Sequence, residues 1–122
     1  MHQQTKWYNI SKLNSNYSEA FYNLGSVQKK IGRFQEAIAS YKRAIQITPN
    51  YLDAHNNLGN IYKDLGLFNE AIESYEWAIS YGPSYAIAHI NLASIYSSYD
   101  LEKALHYYQK SLAAYQDKNA FF

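Results

Sequence analysis

The sequence predicts an all-α protein made of tandem helix pairs stacked side by side, about seven helices in 122 residues. Three observations carry that prediction. The chain repeats itself at a 34-residue step, so that "YNLGSVQKKIGRFQEAIASYKRAI" is followed by "NNLGNIYKDLGLFNEAIESYEWAI". Apolar residues within each copy recur at the three- and four-residue spacing of one helical face. Glycine and proline stand at fixed places between those faces, where helices close.

The first element is residues 1–17, where a backward step of 34 from Tyr41, Ala44, Ile47 and Tyr51 meets Trp7, Ile10, Leu13 and Tyr17. It reads as the second helix of a preceding repeat that lacks its first, as if the chain were cut from something longer. Residues 18–51 form the first full repeat, with Phe21, Leu24, Gly25 and Gln28 on one face of its first helix and Phe34, Ala37, Tyr41 and Ala44 on its second. Residues 52–85 repeat this with His55, Leu58, Gly59 and Tyr62, then Phe68, Ala71, Tyr75 and Ala78. Residues 86–118 are a degenerate third copy, one residue shorter at the internal turn, and 119–122 are a short tail. Gly32 and Gly66 suit the left-handed residue that ends a helix, and Pro49 and Pro83 mark where each second helix must stop. Gly25 and Gly59 lie inside helices, where glycine costs about 1 kcal/mol against alanine. Close packing by a neighbouring helix accounts for them, with Ala37, Ala71 and Ala104 as the expected small partners.

The order His55, Leu58, Gly59, Tyr62, Ala71, Tyr75, Pro83 resembles the tetratricopeptide repeat (TPR). That resemblance covers residues 18 to about 113 and implies a right-handed α-solenoid whose first helices line an inner surface. Departures are Gln28 in place of an aromatic, His55 and His89 in place of Trp or Leu, and no proline after Ser111. The unbroken step and phrases such as "AIASYKRAIQITPNYLDAHNNLGNIYKDLG" are also similar to the repeat region of O-linked N-acetylglucosamine transferases. That likeness would make the chain the substrate-selecting arm of a glycosyltransferase whose catalytic domain lies elsewhere.

Composition narrows the function. Cysteine is absent, which removes disulfides, thiolate metal sites and cysteine nucleophiles. A net charge of +1 argues against a nucleic-acid partner held through its phosphates, and no apolar run approaches the roughly 20 residues that span a bilayer. No signal peptide pattern is present, so the expected setting is cytoplasmic or nuclear. "NIS" at Asn9 and "NYS" at Asn16 match the glycosylation pattern and are read as incidental. Residues 1–50 carry seven Lys or Arg against two acids, and residues 51–99 carry Lys63 against five acids. No Ser, His and acid arrangement or phosphate loop is apparent. His55 and His89 sit one repeat apart, roughly 10 Å by helix packing, too far to share a metal, and read as core histidines. The chain is therefore read as non-catalytic, without cofactor or metal.

The candidate site is the inner surface. One column is asparagine in every repeat: Asn23, Asn57 and Asn91. Helix pairs stack roughly 10 Å apart and an extended peptide advances about 3.3 Å per residue. One amide would thus meet the guest backbone about every third residue, offering both donor and acceptor. Asn56, Asn60, Tyr22, Ser26, Lys30 and Asp53 share this face and complete the expected peptide-binding set. The alternative is that asparagine stands there for helix solubility or for bonds between repeats. Co-chaperone repeats hold a C-terminal carboxylate with Lys, Arg and Asn, but the matching places here are Tyr22, Ser26, Asn57, Ile87 and Asn91, of which only Asn57 fits. Tyr17, Tyr51 and Tyr85 recur just before each first helix, where packing between repeats is expected. The expected partner is a protein or an extended peptide, and the uncovered solenoid ends can associate with a second copy.

Overall fold

The computed structural model describes the backbone of residues 2–119 and the side chains of residues 14–116. Within them the chain forms α1 (His2–Lys30), α2 (Phe34–Ile47), α3 (Leu52–Asp64), α4 (Phe68–Tyr81), α5 (Ala86–Tyr96) and α6 (Leu101–Asn119). The described count is six rather than seven, because α1 runs unbroken through the boundary expected near residue 17. The reason is local. α2 and α4 stop two residues before Pro49 and Pro83, whereas the residue 34 places before Pro49 is Ser15, which has neither the ring nor the missing N–H that ends a helix. Trp7, Ile10 and Leu13 lie outside the described side chains, and residues 120–122 of the expected tail lie outside the described backbone.

The turns follow the sequence closely. Gly32 and Gly66 have φ of +85° and +78°. Each closes its helix in a Schellman motif: Arg33 N–H donates to the Gln28 carbonyl at 2.9 Å and Leu67 N–H to the Tyr62 carbonyl at 2.8 Å. The shorter third turn has no glycine and uses Asp100 instead, whose Oδ1 accepts from Lys103 N–H at 3.2 Å at the start of α6.

Each first helix packs on its own second helix, and α2 then meets α3 as α4 meets α5. The first helices also touch one another, α1 with α3 and α3 with α5, while among the described residues the backbones of α2 and α4, and of α4 and α6, stay apart. Elements that touch on one side and splay on the other make a curved stack, so α1, α3 and α5 form its inner side.

Two tyrosines set the distance within a pair. Tyr41 and Tyr75 are fully buried, and a Cβ on Gly25 would come within 3.0 Å of the Tyr41 ring and one on Gly59 within 2.6 Å of the Tyr75 ring. The close partner of each helical glycine is therefore a tyrosine ring and not the alanine expected from the sequence; Ala37, Ala71 and Ala104 are buried elsewhere in the pair interfaces. The third repeat supplies an internal control. Ala93 occupies the glycine place, and Tyr108, at the tyrosine place, is 40% exposed.

A Gly59→Ala substitution should lower stability by about 1 kcal/mol, overpacking of about 1–3 kcal/mol outweighing the gain in helix propensity of about 1 kcal/mol. Gly25→Ala, with more room, should be close to neutral. Urea unfolding midpoints of the two variants test the order, and equal midpoints would contradict the ring-on-glycine account.

Candidate functional site

The inner face is built from residues 18–30 of α1 together with α3 and α5. Its asparagine column is divided in use. Asn23 is exposed and makes no hydrogen bond among the described residues. Asn57 Nδ2 donates to the Tyr22 hydroxyl at 2.9 Å, and Asn91 Nδ2 donates to Asn56 Oδ1 at 2.9 Å. Both bonds span 35 residues, so each ties a repeat to the one before it. Asn57 and Asn91 are half-buried.

The other residues expected on this face are placed unequally. Asn56 is buried rather than open, because as the acceptor for Asn91 it sits in the seam between α3 and α5. Asn60 Oδ1 accepts the Tyr75 hydroxyl at 2.5 Å, and Ser26, its counterpart one repeat earlier, lies 2.9 Å from the Tyr41 hydroxyl. These two inner-face groups thus satisfy the polar ends of the tyrosines that rest on glycine. Tyr22 is half-buried, stacked on Tyr51 with ring centroids 4.9 Å apart. Burial, then the nearby Asp53 carboxylate, pushes its hydroxyl pKa up, so it stays a neutral acceptor for Asn57. Asp53 is exposed and its Oδ1 accepts the Tyr85 hydroxyl at 2.6 Å, which ties the start of α5 to α3 beside the Asn91 to Asn56 bond. Lys30 is exposed at the end of α1.

Beside these seams, a recess of about 480 Å³ opens between α1 and α3, lined by Ser18, Glu19, Thr48, Tyr51, Asp53 and Tyr85. Tyr51 and Tyr85, expected between repeats, do lie there, whereas Tyr17 lies inside the unbroken α1 and is 59% exposed. Burial raises the pKa of both hydroxyls; the bond to Asp53 adds to the rise at Tyr85, and the Tyr22 ring and then Glu19 add to it at Tyr51.

The histidines are structural. His55 and His89 are buried, and their Nε2 atoms lie 2.7 Å and 2.9 Å from the carbonyls of Pro49 and Pro83, which fixes the tautomer that donates from Nε2. Each pins the start of its first helix to the proline turn before it. Among the described residues no group of three or more His, Asp or Glu side chains could hold a metal ion, and no helix is long and apolar enough to cross a membrane.

A feature unmarked in the sequence lies on the outer side. The gap between α2 and α4 is a groove of about 510 Å³ whose walls include Ile45, Pro49, His55, Trp77 and Tyr81. The Trp77 and Tyr81 rings are stacked at 5.9 Å and both stack on His55. Trp77 falls off the apolar helical period, and a large aromatic out of phase was the one available signal.

Residues 29–66 match the family model described as TPR repeat, and residues 52–85 match the model described as tetratricopeptide repeat. The chain thus contains tetratricopeptide repeats, stacked as an all-helical solenoid. No curated protein matches it. Among solved structures it is similar to two crystal structures of MamA, each at 34% identity over 88% of this chain, with TM-scores of 0.80 and 0.77. The chain spans 63% and 59% of the length of those two. It also shares the fold of the first TPR of Spaghetti (RPAP3) bound to the HSP90 peptide SRMEEVD, at 23% identity, TM-score 0.77, covering 82% of this chain and 80% of that one.

Burial lowers the His55 pKa below its ordinary value of 6.5, the bond to the Pro49 carbonyl opposing the shift only in part. The unfolded chain therefore takes up this proton first as pH falls. The His55 contribution to stability is intact above pH 6.5 and is lost as pH drops from there through the folded value. Thermal melts of wild type and His55→Gln between about pH 8 and pH 5 test this: the wild-type midpoint should fall more steeply, and parallel curves would contradict it.

Proposed function

We propose that the chain is a non-catalytic interaction scaffold that holds an extended polypeptide segment along the inner face of α1, α3 and α5 by bonds to the segment's main chain. The observation that carries this reading is the state of the asparagine column. Asn57 and Asn91 each commit one amide N–H to the preceding repeat and have no hydrogen bond at Oδ1 among the described residues. A side chain already fixed in this way loses little freedom when a guest N–H reaches it, which lowers the cost of binding. Asn23, exposed and unbonded, extends the column by one more amide.

Curvature supports the same reading, since the first helices touch and present one continuous surface. In the Spaghetti structure the shared fold accompanies a bound peptide. The chemistry here differs from capture of a terminal carboxylate. Tyr22, Ser26 and Ile87 stand where cationic or amide side chains would be needed, and the hydroxyls of Tyr22 and Ser26 are engaged within the stack. The glycosyltransferase-arm reading rests on sequence resemblance alone.

The test is a screen of immobilised unstructured peptides, with hits measured by titration calorimetry. Each guest bond is worth about 0.5–1.5 kcal/mol, so Asn23→Ala should weaken a hit up to about tenfold while leaving the melting temperature unchanged. Asn57→Ala and Asn91→Ala should weaken it at least as much, with some loss of stability. Binding unchanged in all three would exclude the column as the site. A peptide ending in a free carboxylate, SRMEEVD for example, should bind no better than its C-terminal amide.

A further inference from the structure

The two internal joints of the stack are made the same way. In the first, Ile38, Tyr41 and Ile45 of α2 pack with Leu58 and Ile61 of α3. In the second, Ile72, Tyr75 and Ile79 of α4 pack with Leu92 and Ile95 of α5. The step along the sequence places counterparts of both halves of this joint at the two ends of the stack. Leu24 and Val27 of α1 correspond to Leu58 and Ile61; Leu105, Tyr108 and Leu112 of α6 correspond to Ile72, Tyr75 and Ile79. Where Leu58 and Ile61 are 6% and 0% exposed, Leu24 and Val27 are 46% and 56% exposed. Leu105 and Leu112 are 53% and 61% exposed.

We infer that a second copy of this chain covers these faces head to tail, α1 of one copy seating on α6 of the next as α3 seats on α2. The occupant follows from the internal joints, which show what kind of face each stripe accepts, and both kinds are carried by one chain. Charge selects the same order. Residues 1–50 carry seven Lys or Arg against two acids, whereas residues 100–122, which include α6, carry three of each sign, so two heads brought together would place like charges side by side, and a head on a tail does not. Such a contact is heterologous: each copy keeps one free face of each kind, and the assembly grows as an open series rather than closing as a dimer. The joint is weaker than the internal ones. The 35-residue offset that pairs Asn57 with Tyr22 and Asn91 with Asn56 would bring Asn23 of the added copy to Ile90, which cannot accept its amide proton. The inference does not depend on peptide binding.

The test is sedimentation velocity over a range of concentrations. The wild-type chain, 14.1 kDa as a monomer, should show mass rising with concentration past that of a dimer. A head variant, Leu24→Glu with Val27→Glu, and a tail variant, Leu105→Glu with Leu112→Glu, should each be monomeric. Their circular dichroism should be that of wild type, since all four side chains are exposed. Mixed one to one, the two variants should form a capped heterodimer, each supplying the face that the other lacks. Dimers formed by either variant alone would show pairing of like ends and overturn the proposal. So would a wild type that stays monomeric throughout, or a mixture that remains two monomers.

Discussion

The structure depends on a tyrosine ring seated on a glycine. Tyr41 on Gly25 and Tyr75 on Gly59 draw the two helices of a pair so close that a Cβ at the glycine place would press on the ring, at 3.0 Å in the first pair and 2.6 Å in the second. Both rings are fully buried, so their hydroxyls must be satisfied. Ser26 and Asn60 on the inner face do this. One packing contact thus fixes the pair spacing and also which inner-face residues are committed to the interior. Where alanine replaces glycine, at Ala93, the tyrosine at the matching place is partly out in solvent and the pair is held by other rings, Tyr96 stacked on Tyr107 at 5.8 Å.

Spacing between pairs is set by a different chemistry. The first helices are joined by side-chain bonds that recur at nearly the repeat length: Asn57 to Tyr22, Asn91 to Asn56, Tyr85 to Asp53. These bonds lie on the inner side, while the second helices diverge and leave the aromatic groove of His55, Trp77 and Tyr81 between α2 and α4. The curvature therefore has a cause in the residues: polar seams holding one side together and no seam on the other. Asn57 and Asn91 belong to those seams and are half-buried at the inner face at the same time, so the two readings of the column offered by the sequence are not exclusive. A donor is used between repeats and an acceptor is left over.

Much of this was legible in the sequence. The helix pairs, the glycine turns at Gly32 and Gly66 and the stops before Pro49 and Pro83 follow from local rules that need only neighbouring residues. The core histidines and two of the three recurring tyrosines, Tyr51 and Tyr85, were also readable, whereas Tyr17, at the same step but inside α1, is 59% exposed. The failures share a cause. Periodicity tells which way a side chain faces but not which neighbour it meets, so alanine was matched to glycine where a tyrosine ring belongs. Asn56, one residue from the open column, was taken as exposed although it is buried by its bond to Asn91. The continuity of α1 was missed by letting the repeat step impose a boundary where no proline enforces one. The outer groove lies between two helices that do not follow one another in sequence, so its one trace in the sequence is Trp77, out of phase on α4.

The inner face is not uniform along its length, and this bears on how a guest would lie. At the α1 end it offers Asn23 and Lys30, and α3 adds Asp53 and Lys63; on α5 the places of Asp53 and Asn56 carry Ile87 and Ile90, 53% and 45% exposed, beside Asn91 and Ser94. Apolar side chains open to water on one helix of three favour a guest segment that places its own apolar residues there, with polar residues toward α1. In the proposed binding mode the amides would grip any main chain alike, since every residue but proline brings the same donor and acceptor. In that mode, register and direction would come from Ile87 and Ile90 on α5, while Asn23, Asn57 and Asn91 would supply grip without preference.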